Sequence, residues 1–185
     1  MSLLRIHVLG SPVLRAETRA VTVFDSALRR LVDDMFDTMY AAKGIGLAAP
    51  QVGQLDRLAV IDVDDNPFAI VNPEIVFEEG SARGEEGCLS IPEIFGDVER
   101  SSRVVVRALT VDGVPFEVEG AELLGRCLQH EIDHLHGKLF LDYMSLLRRR
   151  SALSKWEKIK SDFPNSLRTV SVEPAEVADH GGEGL

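Results

Sequence analysis

The chain has 185 residues, of which 45% are hydrophobic, so its length and composition allow one domain with a buried core. Its formal net charge of −10 argues against a general DNA- or RNA-binding protein, because an acidic surface repels phosphate. No apolar run approaches the ~18 residues of a membrane span, and the first residues contain neither a signal-peptide core nor a cleavage site, so we expect a cytoplasmic protein with no membrane partner.

The first part of the chain predicts one strand and one helix. Residues 5–9 have the composition of a short strand, which ends at a Gly-Ser-Pro turn. Between residues 26 and 43, apolar residues recur at every third or fourth position, which is typical of a helix with one buried face. Asp25 or Ser26 is placed to cap this helix, and Gly44 is placed to stop it.

Strand-like runs follow, and then two more helices. The runs cover residues 58–63, 68–71, 74–77, 103–111 and 114–119. Pro73 separates the second run from the third. Asp112-Gly113 predicts a hairpin turn between the fourth run and the fifth. The second helix is predicted from about residue 121 to 135, and a third, basic helix from about 146 to 160. Because strands and helices rarely alternate, we expect an α+β fold of mostly antiparallel sheets packed around the second helix, with an N-terminal and a C-terminal helix.

The C-terminal part differs in composition from the rest. Residues 144–160 contain six Lys or Arg and one acid, so this segment carries +5 and the remainder of the chain −15. After Pro164 the sequence turns to Ser, Glu, Pro and Gly with few large apolar residues. We therefore expect one catalytic domain over residues 1–164 and a flexible tail over residues 165–185.

The segment His130-Glu131-Ile132-Asp133-His134 has the spacing of a metal site. On a helix its two histidines lie one turn apart on one face, so both imidazoles can reach one divalent cation. Glu131 borders the same face, where it can take a proton from water and later return it. The alternative is a surface helix with two solvated histidines, but the preceding turns are apolar.

A catalytic site of this kind needs a third protein ligand from elsewhere in the chain. Cys127 shares a face with the histidines, but it lies about 10 Å from His134 along the helix axis, so we interpret it as a core residue. Cys88 is the better candidate, because the preceding Gly87 permits close backbone approach. Either cysteine could instead be a small buried apolar residue, and the two could form a disulfide.

The segment from Gly44 to Gln51 is built from small residues. Two glycines and two alanines leave the backbone bare, which suits a surface against which another chain lies, and Gln51 adds an amide donor. Taken alone, the segment fits a helix-stop loop better. It lacks the residues of a phosphate-binding loop.

Together these three segments resemble the peptide deformylase family. Its signatures Gly-x-Gly-x-Ala-Ala-x-Gln, Glu-Gly-Cys-Leu-Ser and His-Glu-x-Asp-His appear complete at residues 44–51, 86–90 and 130–134. The resemblance covers roughly residues 5–160. It implies a hydrolase that removes the N-formyl group from the initiator methionine of new bacterial proteins and releases formate. It also implies one divalent metal ion, natively Fe(II), for which Zn(II), Ni(II) or Co(II) can substitute.

The resemblance also implies roles for individual residues. The metal ligands would be Cys88, His130 and His134. Glu131 would deprotonate the attacking water and then protonate the departing amine. The side-chain amide of Gln51 and the backbone N–H of Leu89 would stabilise the oxyanion.

Substrate contacts are implied in the same way. The N-formylmethionyl peptide would lie extended between Ile45-Gly46 and residues 88–90, like an added strand. The methionine pocket would be lined by Ile45, Leu123, Cys127 and His130. Glu86 and Arg100 resemble a family pair that braces the cysteine loop, although an ordinary salt bridge is the alternative.

Two positions depart from the pattern of some family members, and the third helix has a family counterpart. Phe95 stands where some family members carry an arginine, and Arg126 where some carry an apolar pocket residue, which affects the expected substrate preference. The basic helix resembles one by which some deformylases dock on the ribosome, and a solvated helix face is the alternative. The metal motif alone would also fit a zinc endopeptidase, which would not need Cys88, or a metal-binding or ribosome-associated module without turnover.

Overall fold

The computed structural model of the protein describes residues 2–171. Within this range the chain forms three α-helices and nine β-strands. The helices are α1 (Ser26–Ala41), α2 (Glu122–Leu135) and α3 (Leu146–Ile159). The strands are β1 (Ile6–His7), β2 (Gly46–Ala48), β3 (Leu58–Val63), β4 (Asn66–Glu79), β5 (Ala82–Cys88), β6 (Ile91–Arg100), β7 (Arg103–Leu109), β8 (Pro115–Ala121) and β9 (Leu167–Arg168). All pairs between these strands are antiparallel, which confirms the expected mixed fold.

The largest sheet has five strands in the order β2-β3-β4-β7-β8. The two runs predicted on either side of Pro73 are one long strand, β4, whose pairing with β7 shifts register between Val71 and Glu74. The register shift accommodates Pro73, which has no N–H to donate within the sheet. Its neighbour Asn72 has a backbone in the left-handed region, at φ 50°. Asn72 compensates with its side chain, which exchanges two hydrogen bonds with the backbone of Val21.

Strands β5 and β6 form a separate two-stranded hairpin that the sequence pattern did not predict. Most residues of β5 are exposed or half-buried, so the strand lacks the alternation of apolar and polar residues that marks a half-buried strand. Cys88 ends β5, and the turn after it returns the chain into β6. The hairpin therefore places Cys88 next to helix α2.

Helix α2 lies between the main sheet and this hairpin. One face buries Leu128, Ile132 and Leu135 in a core shared with β3 and β7, and each large apolar side chain buried in this way contributes about 1.5–3 kcal/mol. The opposite face carries the two histidines. Helix α1 packs a second apolar stripe against β2 and β3, and Asp25 caps it by accepting hydrogen bonds from two backbone N–H groups.

The C-terminal segment is attached to the body further along than expected. Helix α3 buries Ala152 and Trp156, and the Trp156 ring stacks on Phe163 at 5.6 Å between centroids. Beyond residue 164, strand β9 pairs with β1, and Val170 is buried. The flexible tail expected from residue 165 is therefore wrong for residues 165–171, because β1 offers them a partner; residues 172–185 lie outside the described range. Within that range no helix is both long and apolar enough to cross a membrane.

Candidate active site

Three donor atoms meet where the hairpin faces α2. The helix places the Nε2 atoms of His130 and His134 3.3 Å apart, and the Sγ atom of Cys88 lies 3.3 Å from Nε2 of His134. All three donor atoms lie within 4.8 Å of one another. The residues that the sequence predicts as metal ligands are thus brought together. Cys88 and Cys127 are both free, so the alternative of a disulfide is wrong.

The donor set fits one divalent cation. Tetrahedral ligands at usual bond lengths place two imidazole nitrogens about 3.4 Å apart and a nitrogen and a sulfur about 3.6 Å apart. Nδ1 of His130 lies 2.9 Å from Oε2 of Glu86, a buried carboxylate that can only accept from it when ionised. This contact places the ring proton on Nδ1 and leaves the Nε2 lone pair free for a metal. Among the described residues, Nδ1 of His134 is buried and has no hydrogen-bond partner.

Glu131 is buried beside these ligands. Its Oε2 atom has no hydrogen-bond partner within the described part of the chain. Burial raises the pKa of Glu131 to about 7, although the positive charge of Arg100 opposes the shift. A carboxyl group with a pKa near neutrality can both accept and donate a proton, which suits a general acid/base.

Gln51 connects strand β2 to the cysteine loop. Its Oε1 atom accepts a hydrogen bond from the backbone N–H of Ala48 at 2.7 Å, and Nε2 donates to Oγ of Ser90 at 3.1 Å. The same Nε2 lies 3.6 Å from Sγ of Cys88. The amide is fixed at both ends, so its N–H₂ group is held next to the candidate metal ligands.

Within the segment of small residues, Gly46–Ala48 form an edge strand, and Ala49–Val52 continue as a short 3-10 helix. Strand β2 pairs on one side with β3, and Ile45 O accepts from the Asp62 N–H at 2.9 Å. Because hydrogen-bonding direction alternates along an antiparallel strand, the N–H and C=O of Gly46 point away from β3. Its missing side chain is also necessary, because a Cβ atom there would overlap Oε1 of Glu131 and lie 2.9 Å from Sγ of Cys127.

A groove of about 540 Å³ opens between the β2 edge and the Cys88 loop. All of the predicted pocket residues line it, with Ile45 and Leu123 exposed and Cys127 buried. Leu89 and Gln51 line it too, and so do Phe95 and Arg126. The groove therefore places an apolar recess next to the candidate metal ligands.

The Glu86–Arg100 pair is present, and it is not an ordinary surface salt bridge. Nε and Nη2 of Arg100 donate to the two oxygens of Glu86 at 2.9 and 3.0 Å, and both side chains are 4% exposed. Arg100 also pairs with Asp133, which accepts from Tyr143. Burial opposes ionisation of Glu86, but hydrogen bonds from His130 and Arg100 hold its pKa well below the usual range.

Arg126 is a further partner of Glu86 that the sequence interpretation missed. Its Nη1 atom donates to Oε1 of Glu86 at 2.9 Å. The available signal was its position four residues before His130, on the same face of α2. This spacing predicts that the two side chains share neighbours.

Known proteins resemble this chain over most of its length. The sequence model of the polypeptide deformylase family matches residues 3–150. A peptide deformylase of Alkalilimnicola ehrlichii is 49% identical over 163 residues, which are 86% of this chain and 92% of the relative. One of Nitrosococcus oceani is 45% identical over 161 residues, 85% of this chain and 96% of the relative.

Solved structures agree with the sequence matches. The crystal structure of a peptide deformylase from Legionella pneumophila matches with a TM-score of 0.84 at 48% identity, covering 86% of this chain and 96% of that one. That of the Synechococcus elongatus enzyme, in complex with actinonin, matches with a TM-score of 0.81 at 41% identity, covering 90% and 92%. By sequence and by fold, the chain belongs to the polypeptide deformylase family.

Proposed function

We propose that Cys88, His130, His134, Glu131 and Gln51 carry out deformylation in the groove beside β2. The reaction follows from the family: the protein is a hydrolase that removes the N-formyl group from the initiator methionine of new proteins and releases formate. The observation that supports these residue roles is the convergence of one sulfur and two imidazole nitrogens beside a buried carboxylate.

The metal held by Cys88, His130 and His134 would polarise the formyl carbonyl and lower the pKa of the attacking water. We propose Fe(II) as the native ion, by resemblance to the family. Zn(II), Ni(II) or Co(II) can take its place, because a thiolate with two imidazoles suits each of these ions.

Glu131 moves the proton. It accepts a proton from the attacking water as the new C–O bond forms at the formyl carbon. It then returns that proton to the amine nitrogen as the C–N bond breaks and formate leaves. Its burial supports this role, because the proton exchanges with the reacting atoms and not with bulk water.

Two donors would stabilise the oxyanion that forms on the formyl oxygen. They are Nε2 of Gln51 and the backbone N–H of Leu89, and each such donor typically contributes about 3–4 kcal/mol to lowering the barrier. Gln51 suits the task because its amide cannot rotate without losing its bonds to Ala48 and Ser90.

Replacing Gln51 tests this assignment. We expect Gln51→Ala to lower kcat by about 10²–10³-fold, because one oxyanion donor is lost. Formate release with measured metal content is the readout. Gln54→Ala removes an exposed amide three residues away and serves as the control. A Gln51→Ala enzyme with full metal content and a kcat within about twofold of the unchanged protein would contradict the role.

The peptide would bind as an added strand along Gly46. The N–H and C=O of this residue point away from β3, so they can pair with an extended backbone on that side. The methionine side chain would then enter the recess lined by Ile45, Leu123, Cys127 and His130. Apolar contacts there suit an unbranched thioether side chain.

A side chain at position 46 should damage both binding and proton transfer. In Gly46→Ala the new methyl group meets the Glu131 carboxylate and the Cys127 thiol, so either the carboxylate or the β2 edge must move. We expect kcat/KM for formyl-Met-Ala-Ser to fall by about 10²-fold, the usual consequence of a misplacement near 1 Å. Unchanged kinetics would show that the edge strand does not position the substrate.

The basic face of α3 is proposed to contact ribosomal RNA, which would place the enzyme in the cytoplasm where new chains emerge. Two of its arginines, Arg148 and Arg149, also form ion pairs with Asp97 and Asp142 of the body. Leu146 and Leu147 at the start of the helix are exposed. Co-sedimentation with ribosomes at low and high salt tests the contact, since a phosphate contact weakens steeply with salt. Retention in the supernatant at both salt concentrations would favour a merely solvated helix.

One assay tests the proposed function as a whole. Anaerobically prepared protein of measured metal content is given formyl-Met-Ala-Ser and, separately, a blocked peptide that can be cut internally. We expect formate from the first and no cleavage of the second. Internal cleavage without formate would favour an endopeptidase, and a metal-loaded protein inert on both would favour a module without turnover.

A further inference from the structure

The guanidinium of Arg126 connects helix α2 to both strands of the β5–β6 hairpin. Nη1 donates to Oε1 of Glu86 at 2.9 Å and to the backbone carbonyl of Val98 on β6 at 3.0 Å. Nη2 donates to the carbonyl of Ala82 on β5 at 2.9 Å. A planar group held at three points by acceptors on two strands has little freedom to move.

The hairpin is shaped to receive this guanidinium. A Cβ atom at Gly84 would lie 3.0 Å from Nη2, 3.1 Å from Cζ and 3.2 Å from Nε of Arg126, and these are its three nearest atoms. The backbone of Gly84 is not in the left-handed region, so a glycine is not required there for its backbone conformation. The missing side chain instead leaves room for the guanidinium. Gly84 and Arg126 thus form a complementary pair.

This link bears on the candidate metal ligands because they come from two separate elements. Cys88 ends β5, whereas His130 and His134 lie on α2. Their mutual distances are therefore set by how the hairpin sits against the helix. Three polar links hold the two together at this point: Arg126 to the hairpin, Glu86 to His130, and Arg100 to Asp133.

We propose that Arg126 is a positioning residue that sets the affinity of the three-ligand site for its metal. Through Glu86 it holds the acceptor that orients His130. Through the carbonyls of Ala82 on β5 and Val98 on β6 it fixes the hairpin that carries Cys88. The inference rests on the proposed function only in taking these three side chains as metal ligands.

The test must separate the guanidinium from the stem, because Arg126 also lines the substrate groove. Arg126→Met keeps an unbranched apolar stem and removes all of the donors. Arg126→Lys keeps the charge but cannot reach three acceptors at once. Arg107→Met is the matched control, since Arg107 lies on β7 in an exposed ion pair with Glu117.

Affinity for Co(II), measured by chelator competition on metal-free protein, is the primary readout. We expect Arg126→Met to bind Co(II) about 10-fold more weakly, the lower end of the range for residues that orient metal ligands, with Arg126→Lys in between. We also expect kcat on formyl-Met-Ala-Ser to fall while KM stays within about twofold, because the stem is retained. Arg107→Met should match the unchanged protein in each measurement.

A double-mutant cycle tests whether Gly84 affects metal binding through the Arg126 guanidinium. Gly84→Ala should weaken Co(II) binding in the protein that carries Arg126 and add nothing to Arg126→Met, because the three atoms nearest to the new methyl group all belong to the Arg126 guanidinium. Co(II) affinity and kcat of Arg126→Met equal to those of Arg107→Met would overturn the proposal, even if the melting temperature fell. Additive effects of the two substitutions would also overturn it. An unchanged protein that binds Co(II) but releases no formate would overturn the proposed function and leave this inference standing.

Discussion

Glu131→Gln should remove nearly all formate release while the protein keeps its metal. The amide has the size of the carboxylate but cannot accept a proton from water, so the general acid/base contribution is lost. That contribution is typically 10²–10⁴-fold, and we expect kcat to fall by about 10³-fold. Burying a neutral amide costs less than burying a carboxylate, so the fold should tolerate the change.

Steady-state formate release, with metal content determined on the same samples, checks this expectation. Glu122→Gln provides the control, because Glu122 is exposed at the start of the same helix. The control should retain full activity. If Glu131→Gln kept its metal and lost less than about fivefold in kcat, another group would have to act as the base.

The part of the site that lies within one helix was predictable from spacing alone. Residues four apart on a helix share a face, so His130 and His134 could be paired without knowledge of the fold. Cys88 is different, since no local pattern links the end of β5 to α2. The geometry of the helix only made Cys88 the better candidate of the two cysteines, and the resemblance of residues 86–90 to a family signature then assigned it as a ligand. Arg126 was missed because its partners, the carbonyls of Ala82 and Val98, belong to a hairpin that was not predicted.

The fold was predictable where burial imposes a regular pattern. Helices α1 and α2 and strands β7 and β8 have such patterns, and β3 is an almost continuous buried run. Strand β2 has no such pattern. Its glycine and alanine residues have low strand propensity, but their small size allows β2 to approach Glu131 closely. The hairpin β5–β6 is largely exposed on β5, and β9 is a two-residue strand whose partner β1 lies at the other end of the chain. Each depends on distant contacts that local sequence does not contain.

Glu86→Gln should lower stability and metal binding together. Glu86 accepts two hydrogen bonds from Arg100 and one from Arg126, and it lies against Nδ1 of His130, all in a buried setting. Removing one partner of a buried ion pair leaves the other charge poorly compensated, which typically costs 3–5 kcal/mol. Arg100 keeps Asp133 as a second partner, so we expect the free energy of unfolding to fall by about 3 kcal/mol.

The same substitution also tests whether Glu86 orients the metal ligand His130 or only supports the hairpin. An amide oxygen is a weaker acceptor for the His130 ring proton than a carboxylate, so Co(II) affinity should fall by about 10–100-fold, more than for Arg126→Met. Urea unfolding of metal-free protein and chelator competition measure the two effects independently. Glu117→Gln breaks an exposed pair with Arg107 and should change neither. A Glu86→Gln protein that lost stability but bound Co(II) as tightly as the control would mean that Glu86 supports the hairpin without orienting His130.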